Sequence, residues 1–104
     1  MRAGSAGALG SGKDNVIIGA GAGSSTRTAS GNVFVGKDAG YRNVAGTGNV
    51  FLGIEAGMTE TGSNRLYVAN GPGPQPLIYG EFDKSVLSVN GKLGIRTKSP
   101  ASEL

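Results

Sequence analysis

The sequence contains neither cysteine nor histidine. Without cysteine no disulfide can staple the fold, and the redox compartment leaves no trace. Without histidine, the commonest general base and the commonest metal ligand go together. Large apolar residues are also scarce. Leu, Ile, Val and Phe number 23 of 104, just above the level at which disorder becomes the default. No apolar stretch approaches the roughly 18 residues of a membrane span, and no signal-peptide pattern is read. Membrane insertion is therefore not expected. Net charge is +3, but the basic residues are scattered singly from Lys13 to Lys98. Nucleic-acid binding wants a clustered basic patch, so nucleic acid is not an expected partner.

What the chain has in excess is glycine. It carries 20 Gly and 4 Pro, about twice the ordinary share. Ordering a backbone costs about 1–2 kcal/mol per residue, and glycine raises that cost. A chain so poor in large apolar side chains either stays partly disordered or borrows core from other chains. A regular internal repeat favours the second outcome.

The repeat is written three times. Asp14 to Gly23 reads DNVIIGAGAG, Gly31 to Gly40 reads GNVFVGKDAG, and Gly48 to Gly57 reads GNVFLGIEAG. Asn15, Asn32 and Asn49 are 17 apart, and a decayed fourth copy, SNRLYVAN, places Asn64 after a step of 15. A fixed period means one supersecondary unit stacked on itself. Each copy carries an apolar triplet: Val16-Ile17-Ile18, Val33-Phe34-Val35, Val50-Phe51-Leu52. Short β-branched and aromatic runs bounded by glycine predict strands. Leu66 and Val68 continue the pattern. These residues form the predicted core of the stack and of a trimer.

Three apolar residues in a row predict a strand covered on both faces, the middle residue meeting one neighbour and the outer pair another. That points to a second chain. Glycine and a small-residue corner (Gly19 and Ala22-Gly23, with their equivalents) follow each strand. Stacked layers lie about 4.8 Å apart. Asn15, Asn32, Asn49 and Asn64 are therefore expected to form a ladder of amides bonded each to the next.

The predicted architecture is all-β: a short parallel β-solenoid of three to four coils over residues 14–70. A Gly/Ala/Ser-rich lead-in covers 1–13, and a Gly/Pro break covers 71–76. A small antiparallel meander caps the end over 77–98, with a tail at 99–104. Asn90-Gly91, between Val86–Val89 and Lys92–Ile95, predicts a hairpin.

Two motifs imitate nucleotide sites. VIIGAGAGSS, with Asp38 downstream, imitates a dinucleotide fingerprint, but SSTRTASG starts no helix whose amino end could face a pyrophosphate. Gly7 to Asp14 and Gly31 to Asp38 fit G-x-x-x-x-G-K, but end in Asp where magnesium needs a hydroxyl. Asp38 and Glu55 occupy corresponding repeat positions, yet read as solvated corner residues rather than a glycosidase pair. Asp14, Asp38, Glu55 and Glu60 lack calcium-ligand spacing. No catalytic residue, metal or cofactor is expected, and the chain is not read as an enzyme.

The phrases GNVFLGIEAG, TGSNRLYVAN, PLIYGEF and GKLGIRTKSPASEL together resemble trimeric fibre proteins of bacteriophages and bacterial cell surfaces. Many of these end in an endosialidase-type intramolecular chaperone domain. The repeat is also similar to the β-roll heads of trimeric autotransporter adhesins. The resemblance implies a homotrimer on a virion or cell surface, acting as a fibre, spacer or host-attachment head. An adjoining fibre, tail or capsid protein is an implied partner, and a host-surface glycan is a further one. A trimeric capsid decoration protein and a carbohydrate-binding recognition head are the alternatives. Adhesin heads often use repeats shorter than 17, and the chaperone domain is absent from this sequence.

Overall fold

A computed structural model describes residues 12–73 and 75–101. Most of the lead-in, including Gly7 of the first phosphate-loop imitation, lies outside the described residues, as do Pro74 and residues 102–104. The described chain is all-β. Six strands form one sheet in chain order: β1 (Val16–Ile18), β2 (Val33–Val35), β3 (Val50–Leu52), β4 (Arg65–Val68), β5 (Ile78–Glu81) and β6 (Val86–Val89).

The triplets become strands because positive-φ residues bracket them. Asp14, Gly31, Gly48 and Asn64 precede the strands and hold φ of 62°, 67°, 69° and 61°. Gly19, Gly36 and Gly53, directly after the strands, hold 130°, 136° and 114°. Gly36 has a second reason to be glycine. A Cβ there would press into the carbonyl of Gly53 in the next layer.

The first four strands run parallel. Val16 faces Val33 and Val33 faces Val50, a step of 17 each time, and Val50 then faces Leu66, a step of 16. Bonds between layers continue outside the strands. Gly23 N–H donates to Ala39 O at 2.9 Å, Gly40 N–H to Ala56 O at 3.0 Å, and Arg42 N–H to Met58 O at 3.1 Å. Ala22, Ala39 and Ala56 sit in these corners, all three fully buried.

The middle residue of each triplet points into the stack. Phe34 and Phe51 are fully buried and stack with ring centroids 4.8 Å apart and planes within 13°. Tyr67 meets Phe51 edge-on at 5.2 Å, and Tyr79 meets Tyr67 edge-on at 5.4 Å. This column, with Ile17 packed against it and alanines beside it, is the core of the described residues.

At β4 the sheet changes sense. β5 pairs with β4 and β6 with β5, both antiparallel. The turn between β5 and β6 is a single 3-10 turn, Phe82–Lys84, closed by Ser85 in the left-handed region. The predicted hairpin at Asn90-Gly91 does not form, and Lys92–Ile95 is not a strand. A type I′ turn needs both central residues at positive φ. Gly91 is at 153°, but Asn90 is not at positive φ. Asn90 is committed elsewhere: its backbone N–H donates to Leu77 O at 2.9 Å and its Nδ2 to Pro76 O at 2.6 Å.

Candidate functional site

Two features could carry function: the polar columns that hold the layers in register, and the outward face of the sheet. The asparagine column comes first. Asn32 N–H and Asn32 Nδ2 donate to Asn15 Oδ1 at 3.0 and 3.1 Å. Asn49 N–H donates to Asn32 Oδ1 at 2.9 Å, and Arg65 N–H donates to Asn49 Oδ1 at 2.8 Å. The amide nitrogens turn sideways, to Ala29 O, Gly46 O and Gly62 O.

This differs from the expected ladder in two ways. Only Asn15 and Asn32 bond side chain to side chain; the later rungs run from side-chain oxygen to backbone N–H. A backbone donor is fixed by the strand, so it outcompetes a rotatable amide. The fourth rung is also Arg65 and not Asn64. Asn64 occupies the left-handed position held by Gly31 and Gly48, a conformation asparagine tolerates better than most residues.

A second polar column escaped sequence reasoning. Thr26 Oγ1 donates to Asn43 O at 3.0 Å, and Asn43 Nδ2 donates to Glu60 O at 2.8 Å and Gly62 O at 3.0 Å. Asn43 Oδ1 accepts from Gly46 N–H, and Glu60 accepts from Gly62 N–H and from Tyr67 OH, the last two at 2.8 Å. Thr26, Asn43 and Glu60 are spaced by 17, which is the signal that could have found them. Every buried side-chain N or O among the described residues has a partner. Burial and the bond to Glu60 together push the Tyr67 hydroxyl well above its ordinary pKa. Tyr79 is raised by burial first and then by its bond to Glu81, and the same bond holds Glu81 below its ordinary value.

The outward face is of the opposite character. Strand alternation places the first and third residue of each triplet away from the aromatic column. The resulting rows are Val16-Val33-Val50-Leu66 and Ile18-Val35-Leu52-Val68. They continue across the change of sense through Ile78, Gly80, Leu87 and Val89. Every outward strand position is aliphatic except Gly80. Val16 is 49% exposed, Ile18 43% and Leu87 69%. Of the predicted core, then, Phe34 and Phe51 are enclosed within one chain and Ile17 is half-buried against them. The outer pairs are not enclosed. Beside them, past the carboxyl ends of β3 and β4, lies a recess of about 630 Å³. Leu52, Val68, Ala69, Pro76 and Leu77 line it together with glycines, Asn70 and Gln75.

The imitation nucleotide motifs form no such site. From Gly23 the chain passes through a turn into the strand β2, with no helix. The Gly31–Asp38 stretch contains β2 itself, and Asp38 Oδ2 pairs with Lys37 Nζ at 3.0 Å on the surface. Among the described residues no group of three metal-ligating side chains converges, and no helix is long and apolar enough to cross a membrane. No protein-family model, curated protein or solved structure matches the chain.

Proposed function

We propose that this chain is a structural module that winds as a short parallel β-solenoid of 17-residue coils and works as a homotrimer. Its role is mechanical: a spacer or presenting segment of a phage fibre or bacterial surface appendage, on a virion or at a cell surface. The observation that carries this reading is the outward sheet face. Among the described residues a single chain buries two phenylalanines and four alanines as its apolar core, and four of its exposed large apolar residues, Val16, Ile18, Leu52 and Leu87, lie on this face. Monomeric soluble proteins rarely carry a contiguous apolar face of this kind without a partner for it. Closing three such faces around an axis turns the missing core into a shared one.

The stacked register supports the mechanical part. Backbone and asparagine bonds join each layer to the next from Lys13 to Asn64. A pull along the stack is resisted within each junction by its several bonds acting together. In this reading the β5–β6 hairpin ends the parallel series and shields the last coil edge. The capsid-decoration and glycan-binding readings share the trimer and differ in what is attached to it.

Sedimentation equilibrium of the intact chain tests the proposal. Three copies per particle are expected, with unfolding that shifts to higher denaturant as protein concentration rises. A stable folded monomer at micromolar concentration would sink it.

A further inference from the structure

The outward face has two irregularities, both aliphatic. On β6, Leu87 stands 69% exposed, opposite Gly80, which offers it no side chain to pack on. Past the ends of β3 and β4, the recess of about 630 Å³ is walled by Leu52, Val68, Ala69, Pro76 and Leu77. The face therefore carries a protrusion at one place and a hollow at another, on different strands.

We propose that Leu87 of one copy seats in the Leu52–Val68 recess of the next, so that copies join head to tail around a closed ring. The inference rests on the trimer reading and adds the contact that builds it. Three observations support a second copy as the occupant. Among the described residues no charged side chain lines the recess or points outward from the six strands, so no like charge opposes packing on an identical face. The protrusion is aliphatic and so are the recess walls. The two are distinct patches, which makes the contact heterologous, and a heterologous contact whose rotation closes gives a ring.

The hairpin then has a second task. Beyond ending the parallel series, it supplies the residue that reaches the neighbouring copy. Removing it would cost the ring as well as the cap.

The complete lack of cysteine makes the test clean. Leu52 and Leu87 lie three strand spacings apart in one chain, about 14 Å, too far for an internal disulfide, which needs Cα atoms within about 7 Å. The double variant L52C/L87C, oxidised in solution, is expected to run as a covalent trimer on non-reducing gels. Single variants L52C and L87C are expected to stay uncrosslinked, and equimolar mixtures of the two to crosslink pairwise. Crosslinking of L87C to itself would show a two-fold contact and overturn the inference. A wild-type trimer by sedimentation with no L52C–L87C crosslink overturns the inference while leaving the trimer reading intact. A wild-type monomer overturns the trimer reading itself. L87A, sedimented beside the wild type, guards against misfolding of the cysteine variants: it is expected to weaken association at least tenfold while its far-ultraviolet circular dichroism is retained, and unchanged association counts against the inference.

Discussion

Asn49 ties its layer to the next through two side-chain bonds. It is fully buried. Its Oδ1 accepts from Arg65 N–H at 2.8 Å and its Nδ2 donates to Gly62 O at 2.9 Å. Asn49→Ala deletes both bonds. Gly62 O still holds Asn43 Nδ2 at 3.0 Å, so the group left stranded is the Arg65 N–H. An orphaned donor of this kind costs about 1–3 kcal/mol, and the small void left by the amide adds to it. The expected loss is about 2–4 kcal/mol per chain.

Asn49→Asp separates the two bonds. It keeps an acceptor for Arg65 but turns the donor into a second acceptor against Gly62 O. A carboxylate buried there has its pKa raised above the unfolded value of about 3.9. The protonated form is therefore the compatible one. Its stability is present below the unfolded pKa and is lost as pH rises through the folded pKa. Urea melts of wild type, Asn49→Ala and Asn49→Asp at pH 4 and pH 7, followed by circular dichroism, read this directly. The Asp variant's deficit relative to wild type is expected to shrink in acid, while that of Ala stays constant. An Ala variant within about 0.5 kcal/mol of wild type, the ordinary range for a neutral surface change, would refute the ladder as a source of stability.

Phe51→Ala removes a ring packed between Phe34 and Tyr67, and calorimetry or urea melts are expected to show a loss of about 3–5 kcal/mol per chain. Gly57 holds φ of 60°, and a Cβ there would come within 2.5 Å of the Phe51 ring. Gly57→Ala is therefore expected to cost about 2 kcal/mol or more by the same melts, from about 1 kcal/mol of left-handed strain plus displacement of the ring. Asn64→Gly is expected to leave stability within about 0.5 kcal/mol, since that position asks for a left-handed backbone and not for an amide. Tyr67 is raised by burial and by Glu60, so its protonated form belongs to the fold. Stability from this group is full below the ordinary tyrosine pKa of about 10 and is lost as pH rises beyond it. Melts at pH 9 and 11 should show that Tyr67→Phe reduces this alkaline loss.

The parallel part of the fold was legible because its signal is redundant. Three copies of Asn, apolar triplet and Gly agree on the strand and its register. The fourth copy was misaligned because identity was matched where conformation mattered. Asn64 looks like Asn49, but its backbone plays the part of Gly48, and the step from Val50 to Leu66 is one residue short. The Thr26–Asn43–Glu60 column was hidden because three different residue types share one task. The Asn90-Gly91 misreading has a different cause. A turn dipeptide states a local preference, and Asn90 is claimed by Leu77 and Pro76 on the neighbouring segment, a tertiary demand that wins. The apolar outer pairs were read as covered on both sides; within one chain they are left half open. This is the residue pattern the trimer proposal uses.

The constant interval between β1, β2 and β3 has an evolutionary consequence. Excising residues 31–47 would bring Val16 opposite Val50, set Asn15 beneath Asn49 and lay Ile17 on Phe51, with Glu60 taking the place of Asn43 next to Thr26. A step shorter by one residue occurs where the parallel series gives way to the antiparallel strands, between Val50 and Leu66. A lineage of such molecules can therefore lengthen or shorten by whole rungs through unequal recombination.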